Sequence, residues 1–312
     1  MAEIYLMPIG SEDAVEHMYN TLLNPVQQIE IASLGVSVPD GVYSGGGTNV
    51  WSLVPGKNNE RQWSKFSEGD FVIFVPTNYN LIVTQITYKV RNQNLAQSLW
   101  GNNSKGQTWE LVFFVKVLGF LAKDKRTLLT ELGYSSKDNL PGTRRVTKRF
   151  QNRYGSVDAF LSVNSENKLD ADDLSQDIAE RLIKSSFSTR TKPEERLKRL
   201  EEIIKRLGAT PREYVEINGK RIRRNHLFVA YVKERDGYRC KVCGFTFTKR
   251  DGEQYVEVAH IVGLAKGGED KPENMVALCA NCHKKLDKGN EEARNEIIEA
   301  LKNKGFKILD NW

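Results

Sequence analysis

The chain has 312 residues, 39% hydrophobic and 28% charged. That balance suits a soluble globular protein of about two domains and argues against a disordered chain. Four cysteines exclude a disulfide-dense secreted scaffold, and no apolar run reaches the roughly 18 residues of a transmembrane helix, so no membrane association is expected. The net charge of +6 is uneven: residues 1–120 carry 7 Lys/Arg against 10 Asp/Glu, 121–190 carry 13 against 10, and 191–312 carry 26 against 20. The basic excess that would hold a polyanion therefore lies toward the C-terminus. Met1-Ala2-Glu3-Ile4-Tyr5 has neither a basic n-region nor a long apolar stretch, so a cytoplasmic protein is expected.

In chain order, residues 4–8 read as a short apolar strand and 11–23 as a helix with Ser11 as N-cap. Residues 41–54 are Gly-rich up to Gly47 and strand-like from Asn49. Residues 69–76 are a buried-strand pattern, 81–90 the next strand, 94–100 a short helix, and 109–118 a strand rich in Val and Phe. Such an alternation predicts a small barrel-like sheet with helices. Residues 122–188 turn mainly helical, with candidates at 127–132, 146–154, 157–161 and 174–183 and a polar loop at 164–173. A helix follows at 193–207, where Leu197, Leu200, Ile204 and Leu207 form one stripe. That stripe suits packing on its own domain, a dimer seam or a rigid spacer. The expected class is α+β: a sheet domain over 1–160, a helical connector over 161–210 and a second domain over 211–312.

The chemistry concentrates between residues 238 and 289. Cys240-Lys-Val-Cys243 and Cys279-Ala-Asn-Cys282 are separated by 35 residues. Two such knuckles suit tetrahedral zinc, one ion per chain, because each turn aims two thiolates at one point. Four thiolates close the coordination sphere, so this zinc is expected to be structural and to pin a segment too short to hold itself by its core. Two disulfides or a redox dithiol are the rivals, and they suit an exported chain better.

Between the knuckles stand Tyr255-Val-Glu257-Val-Ala-His260, Gly267-Gly268 and Asn274, and Cys282-His283 follows. This order resembles the HNH nuclease motif, the ββα-metal fold, in its zinc-knuckle form. The resemblance implies catalytic roles for His260, Asn274 and His283. His260 would be the general base, Asn274 would brace the loop, and His283 would bind a catalytic divalent ion, Mg²⁺ or Mn²⁺. Phosphodiester hydrolysis needs these parts: a base for water and a cation for developing charge.

One position departs from that family. Many members place His or Asp just before the base as a second metal ligand, and here it is Ala259. Glu257, two residues earlier on the same strand face, and Asp287, four after His283 on one helix face, are both open as substitutes. Basic residues flank the motif: Arg221, Arg223, Arg224, Lys233, Arg235 and Arg239 before it, with Lys241, Lys249, Arg250, Lys266, Lys284, Lys285 and Lys288 around it. Such groups contact phosphates and carry little sequence information.

The N-terminal part places aromatics at turn-rich positions: Trp51, Trp63, Trp100, Tyr43 and Tyr79. Asn49-Val50-Trp51-Ser52, Phe66-Ser-Glu-Gly-Asp70, Ser98-Leu-Trp100-Gly and Trp109-Glu-Leu-Val resemble the EVE branch of the PUA superfamily, related to YTH readers of modified adenine. The resemblance implies a modified-base pocket with Trp51 as wall and Trp100, Tyr79 and Trp63 as further candidates. EVE-like domains joined to HNH modules look like modification-dependent, type IV restriction endonucleases. The reading is therefore a reader that flips out 5-hydroxymethylcytosine or 5-methylcytosine from double-stranded DNA, and a nuclease that cuts it, with a homodimer possible. An HNH homing, phage-type or nicking endonuclease of unmodified DNA is the alternative. A non-catalytic nucleic-acid binder, with Ala259 marking a decayed site, is another.

Overall fold

The computed structural model describes residues 2–77, 80–169, 197, 198, 201, 204, 226–250, 252, 254–263, 268–306 and 308. Tyr79, Lys266, Gly267, Arg221, Arg223, Arg224, the helix expected at 174–183 and most of the connector lie outside them. The chain divides into two compact units, Met1–Ile178 and Ala179–Trp312.

The first unit is built on one eight-stranded sheet: β1 (Ile4–Ile9), β2 (Val26–Gln27), β3 (Gly47–Leu53), β4 (Phe71–Pro76), β5 (Leu81–Arg91), β6 (Leu111–Leu121), β7 (Arg144–Arg145) and β8 (Lys168–Leu169). Its order is β2-β3-β6-β5-β4-β1-β7, with β8 also on β6. Strands β1 and β4 are nearly continuous apolar runs, Ile-Tyr-Leu-Met-Pro-Ile and Phe-Val-Ile-Phe-Val-Pro. They pair in parallel, as strands buried on both faces do.

One face carries Ile4, Leu6, Ile73, Val75, Val83 and Leu121 against Leu128, Leu129, Phe150 and Phe160 of three following helices, Lys125–Glu131, Thr147–Tyr154 and Val157–Val163. Elsewhere in the unit, Val50, Val112 and Phe114 pack with Val26, Ile31, Leu95 and Leu99.

The small barrel expected from the strand pattern is not formed among the described residues. The sheet ends at β2 and β7. Each of these is two residues long, too short to pair across and close a ring.

The single helix expected at 11–23 is also two elements. Ser11 caps Glu12–His17, its hydroxyl accepting from the Ala14 amide at 3.2 Å. At Met18 the chain widens into a π-helical turn, Met18–Leu23, buried throughout. Wide turns of this kind are rare and cluster at functional sites.

In the second unit β9 (Glu257–His260) runs antiparallel to β10 (Met275–Leu278), with His260 opposite Met275 and Ala259 opposite Val276. Side chains alternate, so the hairpin has two faces. Val258 and Met275 pack on Phe228 and Val232 of the helix His226–Arg235. Ala259, Val276 and Leu278 pack with Leu286, Ile297 and Leu301 of the helices Ala280–Lys288 and Glu291–Lys302. Two strands and the helix after them thus form a ββα unit. Among the described residues no helix is long and apolar enough to cross a membrane.

Candidate functional site

The four cysteines converge. Cys240 and Cys243 lie on the turn after the helix His226–Arg235, Cys279 caps the helix Ala280–Lys288, and Cys282 is in that helix's first turn. Their sulfur atoms all lie within 4.8 Å of one another. Cys243 Sγ is 3.7 Å from Cys279 Sγ and 3.8 Å from Cys282 Sγ. A tetrahedron with Zn–S bonds of about 2.3 Å has edges of about 3.8 Å, whereas a disulfide needs about 2.0 Å, so the donor set fits zinc. Burial pushes the Cys240 thiol up, but the amides of Cys243, Cys279 and Val242 outweigh it and bring it down to about 7. Burial raises Cys243 and Cys282, so with no metal bound the four would not all be thiolates together.

Beside this cluster, His283 stands between two carboxylates. Its Nδ1 is 2.6 Å from Glu257 Oε2 and its Nε2 3.2 Å from Asp287 Oδ2. Tyr255 donates its hydroxyl to Glu257. That hydrogen bond holds the Glu257 carboxyl below its usual range, burial opposing and His283 adding to it. The same bond raises the Tyr255 hydroxyl to about 12. Ala259 is fully buried in the core between hairpin and helices, so the face it shares with Glu257 offers a carboxylate one step further back.

His260 ends β9 and belongs to a different pair. Alternation puts it on the opposite strand face from Glu257, and its Nε2 is 2.8 Å from Asp270 Oδ1. Asn274 closes the intervening turn. Its side chain accepts from the Val262 amide at 2.8 Å and donates to the carbonyls of Val262 at 2.9 Å and Glu269 at 2.8 Å. Gly268 is required there, because a Cβ would lie 2.0 Å from the Val262 oxygen and 2.9 Å from Asn274 Nδ2.

Among the flanking cations, Arg235 and Lys285 have partners within the unit. Arg235 donates to the carbonyls of Pro272 and Met275, both at 2.8 Å, and pairs with buried Asp236. Asp236 in turn accepts from the Ala277 amide at 2.8 Å. Arg235 therefore ties the helix His226–Arg235 to the hairpin. Lys285 is engaged by Glu296 at 2.8 Å.

In the first unit Trp51 and Trp100 gather around a residue the sequence did not single out. His17 is buried at the point where the α-helix becomes π-helical. Its ring centre is 4.3 Å from Trp109, edge to face, 5.6 Å from Trp100 and 6.5 Å from Trp51. Two buried polar atoms, Trp100 Nε1 and Thr108 Oγ1, have no hydrogen-bond partner. Trp63 is held elsewhere, with its Nε1 donating to the Val112 carbonyl at 3.2 Å and Lys89 over its ring at 4.8 Å. Trp109 entered the sequence reading as a strand residue and as part of the EVE-like motif but not as a pocket candidate, and His17 only as a helix residue.

Residues 240–289 match the family model of the HNH endonuclease. The chain carries an HNH endonuclease domain. The cysteines, His260, Asn274, His283 and Asp287 all fall within it, with Glu257 and Asp270.

The chain is 34% identical over 110 residues to the type IV methyl-directed restriction enzyme EcoKMcrA of Escherichia coli (strain K12), a match that covers 33% of the chain and 39% of the enzyme. It thus spans well under half the length of that relative. A stretch of 58 residues is 34% identical to anaredoxin of Nostoc sp., 19% of the chain and 68% of that protein. Among solved structures, the N-terminal domain of Thermococcus gammatolerans McrB bound to m5C DNA is similar over 52% of the chain and 98% of that domain, with 20% identity and a TM-score of 0.40.

Proposed function

We propose that the chain is a modification-dependent DNA endonuclease: a reader for a modified cytosine over residues 1–160, a connector over 161–210 and a nuclease over 211–312. The observation that carries the nuclease reading is the HNH domain with a histidine on its strand, an asparagine closing its turn and a histidine–carboxylate group on its helix. The name of the relative from Escherichia coli, a methyl-directed restriction enzyme, supports a modified substrate.

In this reading His260 takes the proton of the attacking water as that oxygen bonds to phosphorus. The bond from phosphorus to the leaving sugar oxygen breaks and its electron pair stays on that oxygen. A divalent ion, Mg²⁺ or Mn²⁺, when bound by His283 with Asp287 or Glu257, neutralises charge on the phosphate and leaving oxygen. Asn274 keeps the turn closed, and the four cysteines hold a zinc that takes no part in the reaction.

The reader would accept 5-hydroxymethylcytosine or 5-methylcytosine, extracted from the duplex, among Trp51, Trp100, Trp109 and His17. Stacking is worth about 1–3 kcal/mol per base. A base edge would give partners to Trp100 Nε1 and Thr108 Oγ1, two buried groups that each cost about 1–3 kcal/mol unsatisfied. The proposed pocket omits Trp63, whose ring and indole nitrogen are already engaged.

A duplex panel identical except at one cytosine, plain, 5-methyl or 5-hydroxymethyl, tests this with Mg²⁺ and Mn²⁺. Cleavage of at least one modified duplex, with the plain one spared, is expected. Equal cleavage of all three would favour a nuclease of unmodified DNA, and binding without cleavage under either metal a non-catalytic binder.

A further inference from the structure

We infer that Asp270 is a positioning residue for His260, fixing its imidazole with the proton on Nε2 so that Nδ1 is the nitrogen that takes the proton from water. This rests on the reading of His260 as the general base.

A carboxylate can only accept hydrogen bonds. With Asp270 Oδ1 2.8 Å from Nε2, the neutral imidazole must carry its hydrogen on Nε2, and its lone pair is on Nδ1. His260 is nearly enclosed, with 9% of its side chain exposed against 27% for Asp270, so the ring has little freedom to exchange this partner for water.

Asp270 is itself held from both sides. Asn274 donates its side-chain amide to the carbonyl of Glu269, the residue before, at 2.8 Å. It donates its backbone amide to the carbonyl of Lys271, the residue after, at 2.9 Å. The strand end is pinned by the same residue, since the amide of Ile261, next to His260, donates to the Asn274 carbonyl at 2.7 Å. Asn274 therefore holds both members of the pair, and at Gly268 the backbone passes so close to Val262 that a Cβ would lie 2.0 Å from its oxygen.

When water attacks, its proton passes to Nδ1 and the imidazole becomes a cation facing the Asp270 carboxylate. Asp270 orients the base before the step and offsets its charge after it, without touching the substrate. It was hidden in the sequence because Glu269, Asp270 and Glu273 look like the solvated carboxylates of an acidic turn.

The test uses the full chain and the duplex it cuts. Asp270→Ala should lower the single-turnover rate by about 100-fold, on the scale of a general base, with duplex affinity within about twofold. Asp270→Asn keeps an acceptor oxygen but no charge and should fall between, and Asp270→Glu should recover to within about fivefold of wild type. With four histidines in the chain, ¹⁵N spectra of the imidazoles, assigned with His260→Ala, should show the Nε2–H tautomer for His260 and its loss in Asp270→Ala.

An Nδ1–H tautomer in the wild type overturns the inference. So does an Asp270→Ala that cuts within about twofold of wild type while His260→Ala is inactive. If His260→Ala itself cuts normally, it is the base assignment that fails, and the tautomer spectrum still decides whether Asp270 sets the ring.

Discussion

His283 Nδ1 lies 2.6 Å from Glu257 Oε2 while its Nε2 lies 3.2 Å from Asp287 Oδ2, so the two carboxylates occupy opposite edges of one ring. A divalent ion held there, as proposed above, would take one of those nitrogens together with one carboxylate. The other carboxylate then orients the ring, as hydrogen-bond partners of metal-bound histidines do. Glu257 is anchored a second time by Tyr255, whereas Asp287 is the more exposed, at 46% of its side chain against 33%. On that proposal, an ion that must meet a DNA phosphate would sit on the open edge, with Nε2 and Asp287.

Asp287→Ala is therefore expected to weaken Mn²⁺ binding by at least about tenfold, measured by calorimetry or electron paramagnetic resonance on the zinc-loaded protein. Glu257→Gln, which can still accept from Nδ1–H, should change it by less than about threefold. The reverse ranking would put the ion on the Glu257 edge.

Removing a zinc held by the four cysteines, as proposed, should act on folding. The sulfur cluster bridges the turn at Cys240 and the helix at Cys282, and the core around it is small. Metal binding to such a segment is folding free energy. Cys240→Ser or Cys282→Ser should lose the protection of β9 and β10 amides in hydrogen exchange while the first unit keeps its own. Metal analysis should give about one zinc per chain. A wild-type chain that stays folded in its second unit after refolding in chelator would contradict this.

How far the sequence carried depends on whether contacts are local. The cysteine knuckles announce themselves by spacing, and His260 and His283 by the resemblance of their segment to the HNH motif. Asp270 lies only ten residues from His260, yet its role depends on the turn that Asn274 closes, and no periodicity reports a turn's shape. His17 is further from legibility. It meets Trp51, Trp100 and Trp109 only because the segment after β1 folds over β3 and the start of β6, and such pairing is set by strand order. Strands β1, β3, β4, β5 and β6 were readable from their apolar runs, whereas the two-residue strands β2, β7 and β8 were not, and neither was closure of the sheet, because it turns on which strands are neighbours.

Acid should loosen the first unit partly through Glu131. Burial raises its carboxyl, but hydrogen bonds from Lys123 and Tyr154 outweigh that and leave it below the usual glutamate range. A carboxylate depressed in the folded state stabilises above its unfolded value, and that contribution is lost as pH falls through the folded one. Melting of wild type should therefore drop more steeply below about pH 4.5 than that of Glu131→Gln, which should be less stable at neutral pH and flatter in acid. Parallel pH profiles for the two would remove Glu131 from the acid response.

The aromatic group around His17 gives the most direct test of the reader. Trp51 is nearly buried and packs on Phe74 at 5.2 Å as well as toward His17, so Trp51→Ala would combine a lost pocket wall with a core cavity costing about 3–5 kcal/mol. Trp51→Phe keeps most of the packing and shortens the stacking surface. It is the better probe, with melting temperature as the folding control. His17→Gln keeps a polar group at the same place but removes the ring that Trp109 meets edge to face at 4.3 Å. If these rings enclose the base, both variants should fold, keep their zinc and cut with undiminished intrinsic rate once bound. Their preference for modified over plain duplex should fall by at least about tenfold, since stacking alone is worth about 1–3 kcal/mol. Trp63→Phe, outside the group, should leave the preference unchanged. If Trp63→Phe erases the preference and the other two do not, the base is read near Lys89 instead. Wild-type preference in all three variants would mean that the rings around His17 serve only to pack the sheet.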